Sequence, residues 1–182
     1  MNKKETGFTL LELIIAMAIT ITVLAIAGSM FTTGNKVFND SDVKSTLQIE
    51  GQAIQEKISD IGMQATGIKT VTISTGKTNE IDAMLINSYY KTTEAGASYD
   101  LNIKKIDSGK TYKDGSEIYQ LWIDNTLISN DVKSVKLDDN VIDNIKTLKN
   151  VSSTEFIIVL RKEQGYSNVK QTVDFRVTFR NK

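Results

Sequence analysis
The chain has 182 residues, with 22 lysines and arginines against 22 aspartates and glutamates, so it carries no net charge and no basic surplus for nucleic acid. It contains no cysteine, which excludes a disulfide framework, a zinc–thiolate site and a cysteine nucleophile. It contains no histidine either, which excludes serine–histidine catalysis, histidine metal ligation and a histidine pH switch, so the composition points to a non-enzymatic role.

The first predicted element is an apolar stretch from Phe8 to Phe31. Between Glu5 and Lys36 the one charged residue is Glu12. As a helix, these 24 residues span about 36 Å, against about 30 Å for a bilayer core. Lys3 and Lys4 precede it, and positive charge beside an apolar span is retained on the cytoplasmic side. That places the polar remainder outside the cell. Two ordinary readings fit such a stretch: a plain membrane anchor, and a secretory signal peptide cut after Ala25-Ile26-Ala27. Neither uses Glu12. A carboxylate at mid-membrane costs roughly 2.5–3.5 kcal/mol on insertion scales, and less near a helix end.

A third reading does use it. Gly7-Phe8-Thr9-Leu10-Leu11-Glu12-Leu13, with a short basic leader before it and an unbroken apolar run after it, resembles the processing signal of type IV prepilins and type II secretion pseudopilins. The resemblance implies that a prepilin peptidase/methyltransferase cuts between Gly7 and Phe8 and methylates the new amino terminus of Phe8. Glu12 then becomes the fifth residue, the place where the family carries its glutamate. A buried charge needs a partner. The new amine on Phe8 is a cation about one helical turn from Glu12, on the same chain or on a neighbour packed in register. Pairing with a neighbour would set the axial stagger between subunits. The bland alternative is a glutamate that merely snorkels to the interface.

Beyond the membrane segment the apolar residues Val37, Phe38, Val43, Leu47, Ile54, Ile58 and Ile61 continue, the last four at helical spacing, among Lys44, Gln48, Glu50, Gln52, Gln55, Glu56, Lys57 and Asp60. This predicts an amphipathic continuation, with Gly62 and Gly67 as stop signals and one helix from about Phe8 to Ala65. Many members of the pilin family carry a proline after the first six turns; Ser29 stands there in this chain.

From Gly67 the period becomes two. Strands are predicted near Lys69–Thr75, Ile81–Asn87, Tyr99–Lys104, Glu117–Asp124, Val132–Leu137 and Val173–Phe179, with Phe156–Leu160 a strand covered on both faces. Turn residues fall at Gly76–Asn79, Asp107-Ser108-Gly109, Asp114-Gly115, Asp124-Asn125, Asn130-Asp131 and Gly165–Asn168. The expected fold is therefore α+β: a long N-terminal helix, half membrane-spanning and half amphipathic, packed on an antiparallel β-sheet head. The expected parts are a leader at 1–7, a membrane and assembly helix at 8–35, its amphipathic half at 36–66 and the head at 67–182.

Three clusters in the head were weighed for chemistry. The acidic group Asp138, Asp139, Asn140, Asp143 and Asn144 has oxygen ligands for calcium, but it lacks the glycine and distal glutamate of an EF-hand and reads as a solvated turn. Tyr89, Tyr90, Tyr99, Tyr119 and Trp122 read as sheet packing before they read as a stacking surface for sugar or single-stranded DNA. Lys104, Lys105, Lys110 and Lys113 read as a modest basic patch on a loop. No cofactor and no metal is expected. The stretch from Leu121-Trp122 through Thr126–Val135, with the terminal strand ending at Asn181, is similar to the heads of PilW-type minor pilins and J-type pseudopilins. That resemblance implies a low-abundance subunit helping to prime or tip a filament. Its partners would be other pilins or pseudopilins, the peptidase, an assembly platform and, before assembly, membrane lipid. The implied location is the cell membrane, single-pass with a cytoplasmic N-terminus, and then a surface filament. The competing function is a secreted or surface β-domain that binds a ligand.

Overall fold
A computed structural model describes residues 8–88, 99–137, 151 and 153–179. A single helix, α1, runs Leu10–Gln64. It begins on Thr9, whose extended backbone and side-chain oxygen make an N-cap. The helix neither kinks at a proline nor breaks at Gly28 or Gly34, where a Cβ would meet nothing within 4 Å. It ends where Ala65 turns to extended geometry (φ −79°, ψ 142°), and the Ala65 amide still donates to the Gly62 carbonyl.

Seven strands follow: β1 Ala65–Ile73, β2 Ile81–Ser88, β3 Tyr99–Thr111, β4 Glu117–Ile123, β5 Thr126–Leu137, β6 Ser153–Gln164 and β7 Ser167–Thr178. They form one antiparallel sheet in sequence order, a meander in which each strand pairs with the next. An isolated bridge between Glu80 and Lys136 brings the entrance of β2 to the end of β5, so the sheet curls on itself. The fold is the α+β arrangement that the two periodicities predict.

The helix packs mainly on β7, with lesser contact to β6 and β5. Val43, Leu47, Ile54, Ile58 and Ile61 are buried, which is the predicted stripe. They meet Phe156, Ile158, Leu160, Phe175 and Val177 in one core, where the Phe156 and Phe175 rings stack at 5.5 Å. Val37 and Phe38, one turn before the stripe, stay exposed.

Several sequence expectations change. Gly62 is not a stop signal; it lies inside α1 and is buried. A Cβ there would sit 1.8 Å from Val177 Cγ1, and one at Gly51 would sit 2.5 Å from Val173 Cγ2. The two glycines let β7 lie close against the helix. Gly67 lies within β1, beside a register shift. Asp107-Ser108-Gly109 is not a hairpin turn but a bulge inside β3, between the Asp107–Tyr119 and Lys110–Ile118 pairs. Gly109 takes φ +70° there, and its amide donates to Asp107 Oδ1 at 2.9 Å. Asn130-Asp131 likewise falls inside β5, at a register shift between β4 and β5. Phe156–Leu160 is not covered equally on both faces: Phe156, Ile158 and Leu160 are buried, while Ile157 and Val159 are half-buried. The turn at Asp124 is as predicted, with φ +53°.

Candidate functional site at the helix N-terminus
Among the described residues, nothing in the head covers the apolar part of α1. From Leu10 to Phe31 its large apolar side chains are exposed, and the most apolar 18-residue window of α1 is 0% buried. Leucines and isoleucines on every side of a helix lose water only if lipid or other helices surround it. The segment is long and apolar enough to cross a membrane.

At its start, Thr9 and Glu12 form a capping box. The Glu12 amide donates to Thr9 Oγ1 at 3.2 Å. In return Glu12 Oε2 accepts from the Thr9 amide at 3.0 Å and from the Thr9 hydroxyl at 3.1 Å. The spacing is the S/T-x-x-E pattern of a helix start, a signal present in the sequence that the reading of Glu12 as an assembly residue passed over. The box fixes where the carboxylate points. Glu12 folds back toward the N-terminal end and is held against Thr9, the residue after Phe8. Phe8 itself is 86% exposed. Gly7 lies outside the described residues.

Residues 2–28 match the family model of the prokaryotic N-terminal methylation motif. The chain carries the type IV pilin and pseudopilin signature. No curated protein and no solved structure matches the chain. The match takes in the capping box and most of the apolar stretch, and leaves the head outside it.

Among the described residues of the head, Lys105, Lys113 and Trp122 are taken up in separate contacts. Lys104 and Lys105 lie in β3, not on a loop. Lys105 is buried between Glu80 at 2.6 Å and Asp82 at 3.2 Å, with its ammonium 4.3 Å from the Tyr119 ring centroid. Lys113 donates to the Gly165 carbonyl at 2.8 Å. Trp122 donates to Gln120 Oε1, a neighbour on its own strand. The acidic group 138–144, Tyr89 and Tyr90 lie outside the described residues.

A second buried polar network that the sequence reading missed, besides that of Lys105, lies among the described residues of the head. Arg161 is 2% exposed and contacts Asp114 Oδ2 at 2.6 Å, Glu163 Oε1 at 2.6 Å and Asn168 Oδ1 at 3.0 Å. Its guanidinium lies 4.2 Å from the Tyr112 ring centroid, and the Tyr112 hydroxyl donates to the Arg161 carbonyl at 2.8 Å. These contacts clamp the β3–β4 connection onto β6 and β7. They satisfy one another, so the arrangement is structural.

The clamp carries a pH dependence. The hydroxyl and amide of Ser116, and then Arg161, hold the Asp114 carboxyl well below the usual carboxylate range. A depressed carboxylate stabilises the fold above its unfolded pKa, and the contribution fades as pH falls through the folded value. Burial, and then the charge of Asp131, push the Tyr112 phenol up to about 12. That contribution is complete below about pH 10 and fades toward about pH 12. Thermal melts of the chain in detergent should therefore fall at both extremes. Asp114→Asn should flatten the acid limb and Tyr112→Phe the alkaline limb; unchanged limbs would show that the clamp does not titrate with folding.

Proposed function
We propose that this chain is a subunit of a type IV pilus or pilus-like filament, and within that class a minor subunit that helps to prime or tip assembly. The observation that carries the reading is the methylation motif, read with the geometry of Glu12, which is held against Thr9 at the helix start. The proposed cut falls between Gly7 and Phe8, Phe8 carries the methylated amine, and Glu12 is the assembly residue. Residues 8–35 serve first as membrane anchor and then as the packing surface between subunits, where helix contacts replace lipid. Residues 36–66 join that rod to the head at 67–182. The role is structural rather than catalytic. The partners are other pilin or pseudopilin subunits, the peptidase and an assembly platform.

The minor role draws its support from the head's resemblance to PilW-type and J-type proteins. The signal-peptide reading gains nothing from the helix, which runs through Ala25–Ala27 without interruption. Filaments sheared from the native host should contain the chain in small amounts relative to the principal subunit, and deleting its gene should reduce filament number. Absence from sheared filaments, with unchanged filament number after deletion, would contradict the reading.

A further inference from the structure
The hairpin between β6 and β7 ends in Gly165 and Tyr166, and Tyr166 is 89% exposed. β7 runs along α1 in the same direction, since Val173 faces Gly51 and Val177 faces Gly62. Stepping back seven residues from Val173 to Tyr166 covers about 23 Å of strand, equal to about fifteen residues of helix. That puts the tip level with Lys36. The side chains agree: Lys36, Val37, Asp40 and Lys44 from the helix line one groove with Tyr166 and Lys170 from the hairpin. Lys36 follows the last residue of the apolar stretch, Phe31, by five positions, or about 7.5 Å of helix. The polar layer of a bilayer extends about 5–7 Å beyond its hydrocarbon core on each side. The hairpin tip thus stands at headgroup height beside Lys36, while Lys44 and Lys170 line the end of the groove away from the membrane. The tip is braced in place by the Lys113 ammonium on the Gly165 carbonyl at 2.8 Å.

We propose that the membrane-facing end of this groove is a phospholipid headgroup site on the outer face of the membrane, with Lys36 taking lipid phosphate and Tyr166 lying in the interface; Lys44, about 20 Å along the helix from Phe31, and Lys170, about 13 Å along β7 from Tyr166, stand above the layer. An amphipathic ring at the water boundary and basic side chains beside an apolar span are the residue types that such a layer selects. The site holds the head against the bilayer before assembly and must release when the subunit leaves for a filament. The proposal rests on the membrane-anchored reading of α1.

The test uses the full chain in vesicles of phosphatidylglycerol and phosphatidylcholine, with a fraction of the lipid brominated close to the glycerol. Tyr166→Trp places a reporter at an exposed turn, and the parent chain with Trp122 alone supplies the background. Bromolipid should quench the added tryptophan strongly and Trp122 weakly. Lys36→Gln should lower the ratio of quenched to unquenched reporter about fivefold at low salt, whereas Lys44→Gln and Lys170→Gln should leave it unchanged. A vesicle-bound chain whose reporter is not quenched would overturn the proposal, and quenching untouched by Lys36→Gln would overturn the phosphate contact. Failure of the chain to float with the vesicles at all would instead remove the membrane reading beneath it.

Discussion

Glu12→Gln should abolish entry of the chain into filaments while leaving the helix start intact. The two roles open to Glu12 predict different results for this substitution. As a cap, the side chain needs only an acceptor at the third helical position, and glutamine serves the capping box as well as glutamate does. As a partner for the amine on Phe8, it needs its charge. Glu12→Ala removes both roles, and loss of one side chain of the capping box is too little to unfold a helix of 55 residues in lipid. The capping box sharpens the argument because it restrains the carboxylate. Both bonds from Thr9 fall on Oε2, so the group is held at the N-terminal end rather than left to roam toward water. Sheared-filament yield, normalised to precursor and mature chain in the membrane, is the readout. Glutamine should fail as alanine does. Assembly of Glu12→Gln at the parent level would reduce Glu12 to a cap.

Substitution of Gly62 should have the largest effect on the head. An alanine Cβ would lie 1.8 Å from Val177 Cγ1 and 3.3 Å from Val177 Cβ, so either the helix or β7 must move. Overpacking of a core costs about 1–3 kcal/mol, and more where the backbone is held on both sides. Here Ile58 and Ile61 on the helix, and Phe175 and Phe179 beside Val177, are all buried and resist that shift. Against a total stability of about 5–15 kcal/mol, Gly62→Ala should be plainly destabilising and Gly62→Leu should detach the helix from the sheet. Val177→Ala removes the obstructing methyl groups. Urea unfolding of the chain in detergent should show the two alanine changes costing less together than the sum of their separate costs, by about 0.5–3 kcal/mol. Strict additivity would mean that β7 is not seated on Gly62.

What was legible in the sequence follows from which interactions are local. The stripe of Leu47, Ile54, Ile58 and Ile61 is set by helical period alone, and all four are buried. The strands at Tyr99–Lys104 and Val173–Phe179 follow from alternation in the same way, and that at Phe156–Leu160 from a continuous apolar run. Gly62 was misread because a glycine that ends a helix and a glycine that admits a neighbour look alike in sequence; the deciding partner, Val177, is far along the chain. Asp107-Ser108-Gly109 was misread for a related reason. Aspartate with a following glycine makes the same local bond in a bulge as in a hairpin turn, and only pairing with β4 distinguishes them. The burial of Lys105 and Arg161 was invisible because their partners, Glu80 and Asp114, are brought in by sheet pairing and a loop clamp. At the N-terminus the motif was legible because its parts lie within a few residues of one another. The capping role of Glu12 was also written there, in the Thr9–Glu12 spacing.

The central claim is that the apolar helix is retained in the mature protein and begins at Phe8. Intact-mass and N-terminal peptide measurement of the chain purified from the native host's membranes tests it most directly. The account predicts a mature chain that has lost its first seven residues, starts at Phe8 with a methylated amine, and keeps Glu12 and the whole of α1. A bulky or charged residue at Gly7 should hold the protein at the longer precursor mass. A chain starting at Gly28 would contradict the account, since cleavage after Ala27 discards Glu12 and nearly all of the segment on which assembly depends.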